Sequence, residues 1–155
     1  MIRQSIIKLL FPAILTVMAS TSAQAMDFSK ADDAVELRKG QMDLIGAYFG
    51  DMGAMVKNKK PFNAEQYKID AERLAMLTSW AGTGFESSRY MNSDSKAKPE
   101  IWKNQAEFNK MMTAFADSAT QLKLAAAGGD LKASIPAFKD VAESCGSCHK
   151  KFKNK

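Results

Sequence analysis

The 155-residue chain has two cysteines and one histidine. Past its first 25 residues it has no apolar run long enough to cross a bilayer. Each scarcity excludes something. If its single imidazole is committed elsewhere, no Ser/His/Asp arrangement can form. Two thiols and one imidazole also fall short of the four ligands that a structural zinc site takes. No internal repeat and no low-complexity tract is visible, and nothing in the charge pattern suggests nucleic acid. Paired carboxylates do occur, as Asp32-Asp33, but at the opening of a helix they are explained by its dipole and capping.

All of the scarce ligand chemistry sits in five residues, Cys145-Gly146-Ser147-Cys148-His149. C-x-x-C-H is the attachment signature of c-type haem. The thiols add across the haem vinyl groups, and the adjacent imidazole is placed to ligate the iron. Three other readings compete with this one. A zinc site lacks a fourth ligand and has awkward sequential geometry. A thiol–disulfide oxidoreductase using Cys145 and Cys148 needs a strand-to-helix junction, and no strand-like alternation precedes the motif. A structural disulfide closing so short a loop constrains little of the unfolded chain. Covalent haem is the reading that uses all three residues.

Haem attachment is chemistry of the oxidising side of a bacterial membrane, and the N-terminus fits an export signal. Arg3 and Lys8 form a basic start, Leu9 to Met18 an apolar stretch, and Ala23-Gln24-Ala25 a cleavage site. The stretch is too short, and too interrupted by Lys8 and Pro12, for a membrane anchor. Residues 1–25 are expected to be a signal peptide and 26–155 a single periplasmic domain with no membrane span. Cleavage takes the formal charge from +5 to +3, because Arg3 and Lys8 leave with no acidic residue. The terminal Lys150, Lys151, Lys153 and Lys155 suit the negative end of a helix dipole. They could equally form a docking patch for an acidic redox partner.

Apolar residues recur at helical spacing in four segments. The first, over 30–57, carries Val35, Arg38, Met42, Ile45, Phe49, Met52 and Val56 in one stripe. The second, over 64–81, puts Ile69, Arg73, Met76 and Trp80 on one side with Leu74 and Leu77 beside them. A loop is expected over 82–98. The third helix opens at Pro99-Glu100 and runs to Gly128-Gly129, with Ile101, Gln105, Phe108, Met112, Phe115, Ala119, Leu122 and Ala126 in its stripe. The fourth follows Asp130 and carries Leu131, Ile135, Phe138, Ala142, Cys145, His149 and Phe152. Pro136 inside it should kink the helix or mark its true start, with Ser134 as a second cap. The pattern predicts an all-α, antiparallel up-down-up-down four-helix bundle, a less regular all-α domain being the competitor.

On a helix Cys145, Cys148 and His149 share one face, so the haem should lie against the bundle core. Arg38, a charge on an apolar stripe, then needs a partner, and a haem propionate could be one. At the end of the bundle it could instead reach water along its stem. Lys39 could assist. Met42, one turn on, is either ordinary core or the residue facing the open side of the iron. There its sulfur could ligate or act as a lid.

At this point the chain resembles the cytochrome c′ family. The likeness runs through Ala34-Val35-Glu36-Leu37-Arg38, Ala47-Tyr48-Phe49, Pro99-Glu100-Ile101-Trp102, and Phe138, Val141 and the C-terminal C-x-x-C-H. The resemblance implies His149 as proximal ligand, Arg38 near a propionate, and Met42 at the distal position. In cytochromes c′ that position blocks the iron, whereas in the related low-spin cytochromes c-556 a Met binds it. It further implies one-electron redox activity, binding of nitric oxide or carbon monoxide, periplasmic redox partners, and a homodimer commonly formed through the first two helices. A carrier or binding protein is expected, not an enzyme. Trp80 resembles a family aromatic near the haem edge. Lys153 stands where many members carry Arg.

Overall fold

The computed structural model describes residues 27–92 and 94–155. The expected signal peptide and its cleavage site lie outside the described residues. Helices α1 (Ala31–Val56), α2 (Ala64–Thr78), α3 (Glu100–Lys103), α4 (Gln105–Ala126) and α5 (Leu131–Phe152) account for most of the fold, with a 3₁₀ turn at Ser88–Tyr90. The four long helices form the expected four-helix bundle. Among the described residues, no helix is long and apolar enough to cross a membrane.

Local chemistry sets the boundaries. Asp32 and Asp33 lie in the first turn of α1, where the helix dipole favours them. Asn58, at φ 54°, adopts the left-handed conformation that asparagine tolerates and turns the chain out of α1. Asn63 caps α2, its side chain accepting from the Gln66 amide at 3.0 Å. Asp130 caps α5 in the same way, accepting from Lys132 N at 2.8 Å and Ala133 N at 3.3 Å.

Three expectations need correction. The third stripe is interrupted at Asn104 (φ −128°, ψ 46°), which separates α3 from α4. Both the backbone N–H and the side-chain amide of Asn104 donate to the Glu100 carbonyl, and such local bonding disrupts a helix. The α5 helix begins at Leu131 behind Asp130, the cap expected for it, and continues through Pro136, so the alternative start at Pro136 with Ser134 as cap is not the one taken. In α2 the buried face is Tyr67, Asp70, Ala71, Leu74, Leu77 and Thr78, while Met76 and Trp80 are exposed. The seam keeps the expected Leu74 and Leu77 but otherwise runs through Tyr67, Asp70, Ala71 and Thr78, so counting large apolar residues finds only part of it.

Helix α1 packs on α2, α2 on α4, and α4 on α5. At one end α1 and α5 also meet, with Phe49 stacked on Phe138 at 4.3 Å between ring centroids. Toward the C-terminus of α5 a cleft opens between these helices, floored by α4. The main core, built on Ile45, Met52, Tyr67, Leu74, Phe115, Leu122 and Val141, lies beyond it. A smaller core of Phe85, Ile101, Phe108 and Phe152 closes the open end.

Candidate haem site

The cleft has two lobes, of about 410 and 310 Å³, that share Met42, Asp43, Met112, Cys148, His149 and Lys153. The larger lobe also takes in Arg38 and Lys39, and the smaller one Cys145. All six residues singled out by sequence for cofactor contact therefore reach one space. Cys145 packs against the main core and Cys148 against the smaller one, so the motif spans the junction of the two.

No disulfide joins Cys145 to Cys148. Burial pushes each of them above its ordinary pKa, and at Cys145 the nearby Cys148 adds to the rise. A thiol–disulfide oxidoreductase needs the reverse, a thiol pulled down toward its reactive thiolate. At His149, desolvation and then the Lys153 cation lower the pKa. A neutral imidazole, the form that binds a metal, is thereby favoured at neutral pH. Among the described residues no group of three or more His, Cys, Asp or Glu is placed to hold a metal ion.

Arg38 is 3 % exposed and does not reach to water. Its Nη1 donates to the Gly84 carbonyl at 2.6 Å and to the Tyr90 carbonyl at 3.1 Å, and its Nη2 donates to Ser95 Oγ at 3.4 Å. The guanidinium carbon lies 4.7 Å from the Phe85 ring centroid and 5.8 Å from that of Trp102. Desolvation lowers the pKa of Arg38, opposed by the field of Glu86. No carboxylate among the described residues forms an ion pair with it. Near it, the Trp102 indole N–H is buried with no acceptor. A buried cation without a counter-ion beside an unpaired donor fits a ligand that brings carboxylates.

The apolar walls come from Val35 and Met42 on α1, Phe108 and Met112 on α4, and Phe152 on α5. The sequence did not reveal that Phe85 and the segment Asp94 to Ala97 also line the cleft. They belong to the aperiodic stretch 82–98, where no spacing signals which side chains turn inward. Trp80 takes no part in the lining. It is 40 % exposed, and Phe85 and Trp102 are the aromatic residues beside Arg38.

The cytochrome c′ family model matches residues 33–153. Cytochrome c′ of Alcaligenes xylosoxydans xylosoxydans is 37 % identical over 132 residues, covering 83 % of this chain and 98 % of its own. Among solved structures, cytochrome c prime from Shewanella frigidimarina superposes with a TM-score of 0.80 at 37 % identity, covering 83 % of this chain and all of that one. A ferrous arginine-to-lysine variant of the Alcaligenes xylosoxidans protein, with bound NO, superposes at 0.76 with 36 % identity, over 83 % of this chain and 99 % of that one. Cytochromes c′ bind haem c covalently, and the two cysteines such attachment uses are present here. By sequence, fold and the chemistry gathered in its cleft, the chain belongs to the cytochrome c′ family.

Proposed function

We propose that the chain is a periplasmic monohaem cytochrome that undergoes one-electron redox change and binds nitric oxide or carbon monoxide at a five-coordinate iron. The observation that carries this reading is the convergence of Cys145, Cys148 and His149 on a cleft whose facing helix supplies Arg38 and Met42. Cys145 and Cys148 would hold the haem through thioether bonds, and His149 would ligate its iron. Arg38 pairs with a propionate, and Lys39 adds positive charge at the rim. Met42, facing His149 across the cleft lobes, would cover the haem from α1. When bound, the haem supplies a reversible one-electron centre and one open coordination position. The protein's residues fix its orientation, cover it with apolar groups and balance its carboxylates. That is the work of a carrier or gas-binding protein rather than an enzyme.

Residues 1–25 serve as the export signal, leaving 26–155 as the mature domain. A homodimer through α1 and α2 is supported by the exposed Leu44, Met76 and Trp80, large apolar side chains on those helices and just past α2. The alternative is a low-spin His149/Met42 electron carrier, favoured by the place of Met42 in both lobes beside His149.

The test is the visible absorption spectrum of the exported protein, oxidised and reduced, with and without carbon monoxide. A high-spin spectrum that shifts with the gas is the expected result. A low-spin spectrum indifferent to carbon monoxide transfers the function to the electron carrier. A colourless protein removes the haem reading altogether.

A further inference from the structure

Two basic runs far apart in the sequence lie side by side at the mouth of the cleft. Residues 96–98 pair with the end of the chain: Lys98 N donates to the Phe152 carbonyl at 2.9 Å, and Asn154 N donates to the Lys96 carbonyl at 2.8 Å. Ala97 and Lys153 form an isolated antiparallel bridge between them. The Lys98 ammonium reaches the Lys151 carbonyl at 3.2 Å and the Lys150 carbonyl at 3.5 Å, at the negative end of the α5 dipole. This strap joins Lys96 and Lys98 to Lys150, Lys151, Lys153 and Lys155 in one surface. Lys151 is paired with Glu107, but Lys96, Lys150, Lys153 and Lys155 are exposed and make no ion pair among the described residues. Lys96 and Lys153 line the cleft itself, with Asp94 and Asp43 as the acidic groups of its wall.

We propose that this lysine surface is the docking face for an acidic patch on a protein redox partner. The proposal rests on the haem reading above, because its logic is position: a partner seated there stands over the cleft holding the cofactor. Helix capping alone accounts for Lys98 and the last turn of α5. It does not account for the exposed charges of Lys96 and Lys153, which the strap draws to the opening of the cleft. A membrane surface fits less well. Interfacial binding joins basic residues to exposed apolar side chains, and the large exposed apolar residues, Leu44, Phe62, Met76, Trp80, Met91 and Leu124, all lie outside both runs. Charge focused at a cleft accelerates encounter with an oppositely charged partner and aligns it.

The experiment titrates ¹⁵N-labelled reduced holoprotein with a plant plastocyanin, an acidic blue-copper protein, held cuprous so that no electron moves. Amide shifts are recorded at about 0.01 M and about 0.15 M salt, where the Debye length falls from roughly 30 to 8 Å. The expected shifts cluster at 94–98 and 150–155 and weaken at the higher salt. The double variant Lys96→Glu/Lys98→Glu should weaken binding roughly tenfold. Lys132→Glu/Lys139→Glu, the same charge change near the start of α5, should have little effect. Equal loss in both variants, shifts centred elsewhere or no shift at all would overturn the proposal. So would lysine-dependent co-sedimentation with phosphatidylglycerol vesicles at 0.15 M salt. The spectrum of the same sample reports haem and its reduction independently, so failure of the cofactor reading cannot be mistaken for failure of docking.

Discussion

Arg38 and Gly84 hold each other in place. The guanidinium donates to the Gly84 carbonyl at 2.6 Å, and Gly84 sits at φ +87°. A Cβ there would lie 3.1 Å from Arg38 Cγ and 3.2 Å from the Ala34 carbonyl oxygen. A charged side chain on α1 thus anchors the loop that follows α2, and the loop can close over it only where the chain has no side chain.

Gly84→Ala is therefore expected to destabilise the protein by about 1–3 kcal/mol, from left-handed backbone strain and from the crowding against Arg38. Denaturant unfolding checks this, with Gly82→Ala as the control, since a Cβ at Gly82 meets nothing within 4 Å.

Arg38→Met should cost about 2–3 kcal/mol, because the carbonyls of Gly84 and Tyr90 lose a charged donor inside the fold. Hydrogen exchange locates the effect. The Phe85 and Tyr90 amides, whose turns these carbonyls flank, should exchange faster, while the amides in the middle of α4 should not.

How much of this was legible in the sequence varies along the chain. The α4 stripe was read correctly because its inward residues are large and apolar at regular spacing: Phe108, Phe115, Leu122 and Ala126 are all buried. The attachment motif was legible because its spacing is itself chemistry. The inner face of α2 was legible only at Leu74 and Leu77, since Asp70 and Thr78 are also buried there while Met76 is exposed. The roof of the cleft was not legible either. Phe85 and Ser95 are brought to Arg38 by hydrogen bonds from one side chain to distant carbonyls, a relation that no local periodicity encodes.

Asp70 makes the protein's stability depend on pH. It is 1 % exposed, accepts from Gln66 Nε2 at 2.8 Å through one oxygen, and has no partner for the other. Burial raises its pKa; the Gln66 bond works against that, the neighbouring Asp51 adds to it, and Arg73 opposes it. An acid whose folded pKa is raised contributes stability that is complete below its unfolded pKa, about 4. That contribution is lost as pH rises through the folded value. Asp70→Asn should raise stability near pH 7 by on the order of 1 kcal/mol, a few degrees in Tm, with the advantage disappearing near pH 3. Thermal melts across that range check it. Asp51 runs the other way, its pKa lowered first by the Lys60 hydrogen bond, but that pair is exposed and contributes little.

The sharpest test of the iron's environment is Met42→Ala. Met42 is half-buried one turn after Arg38, and it lines both lobes together with His149. An unbranched thioether fills such a gap without needing to bond. If it acts as a lid over five-coordinate iron, removing it leaves the high-spin spectrum unchanged and opens room for a diatomic gas. Carbon monoxide association after flash photolysis should then quicken on the order of tenfold, a barrier change of about 1.4 kcal/mol. If Met42 is a ligand, the same substitution abolishes a low-spin spectrum and creates gas binding where there was little. Met42→Leu separates bulk from bonding. A branched hydrocarbon of similar volume restores the slow association of a lid, but it cannot restore a sulfur–iron bond.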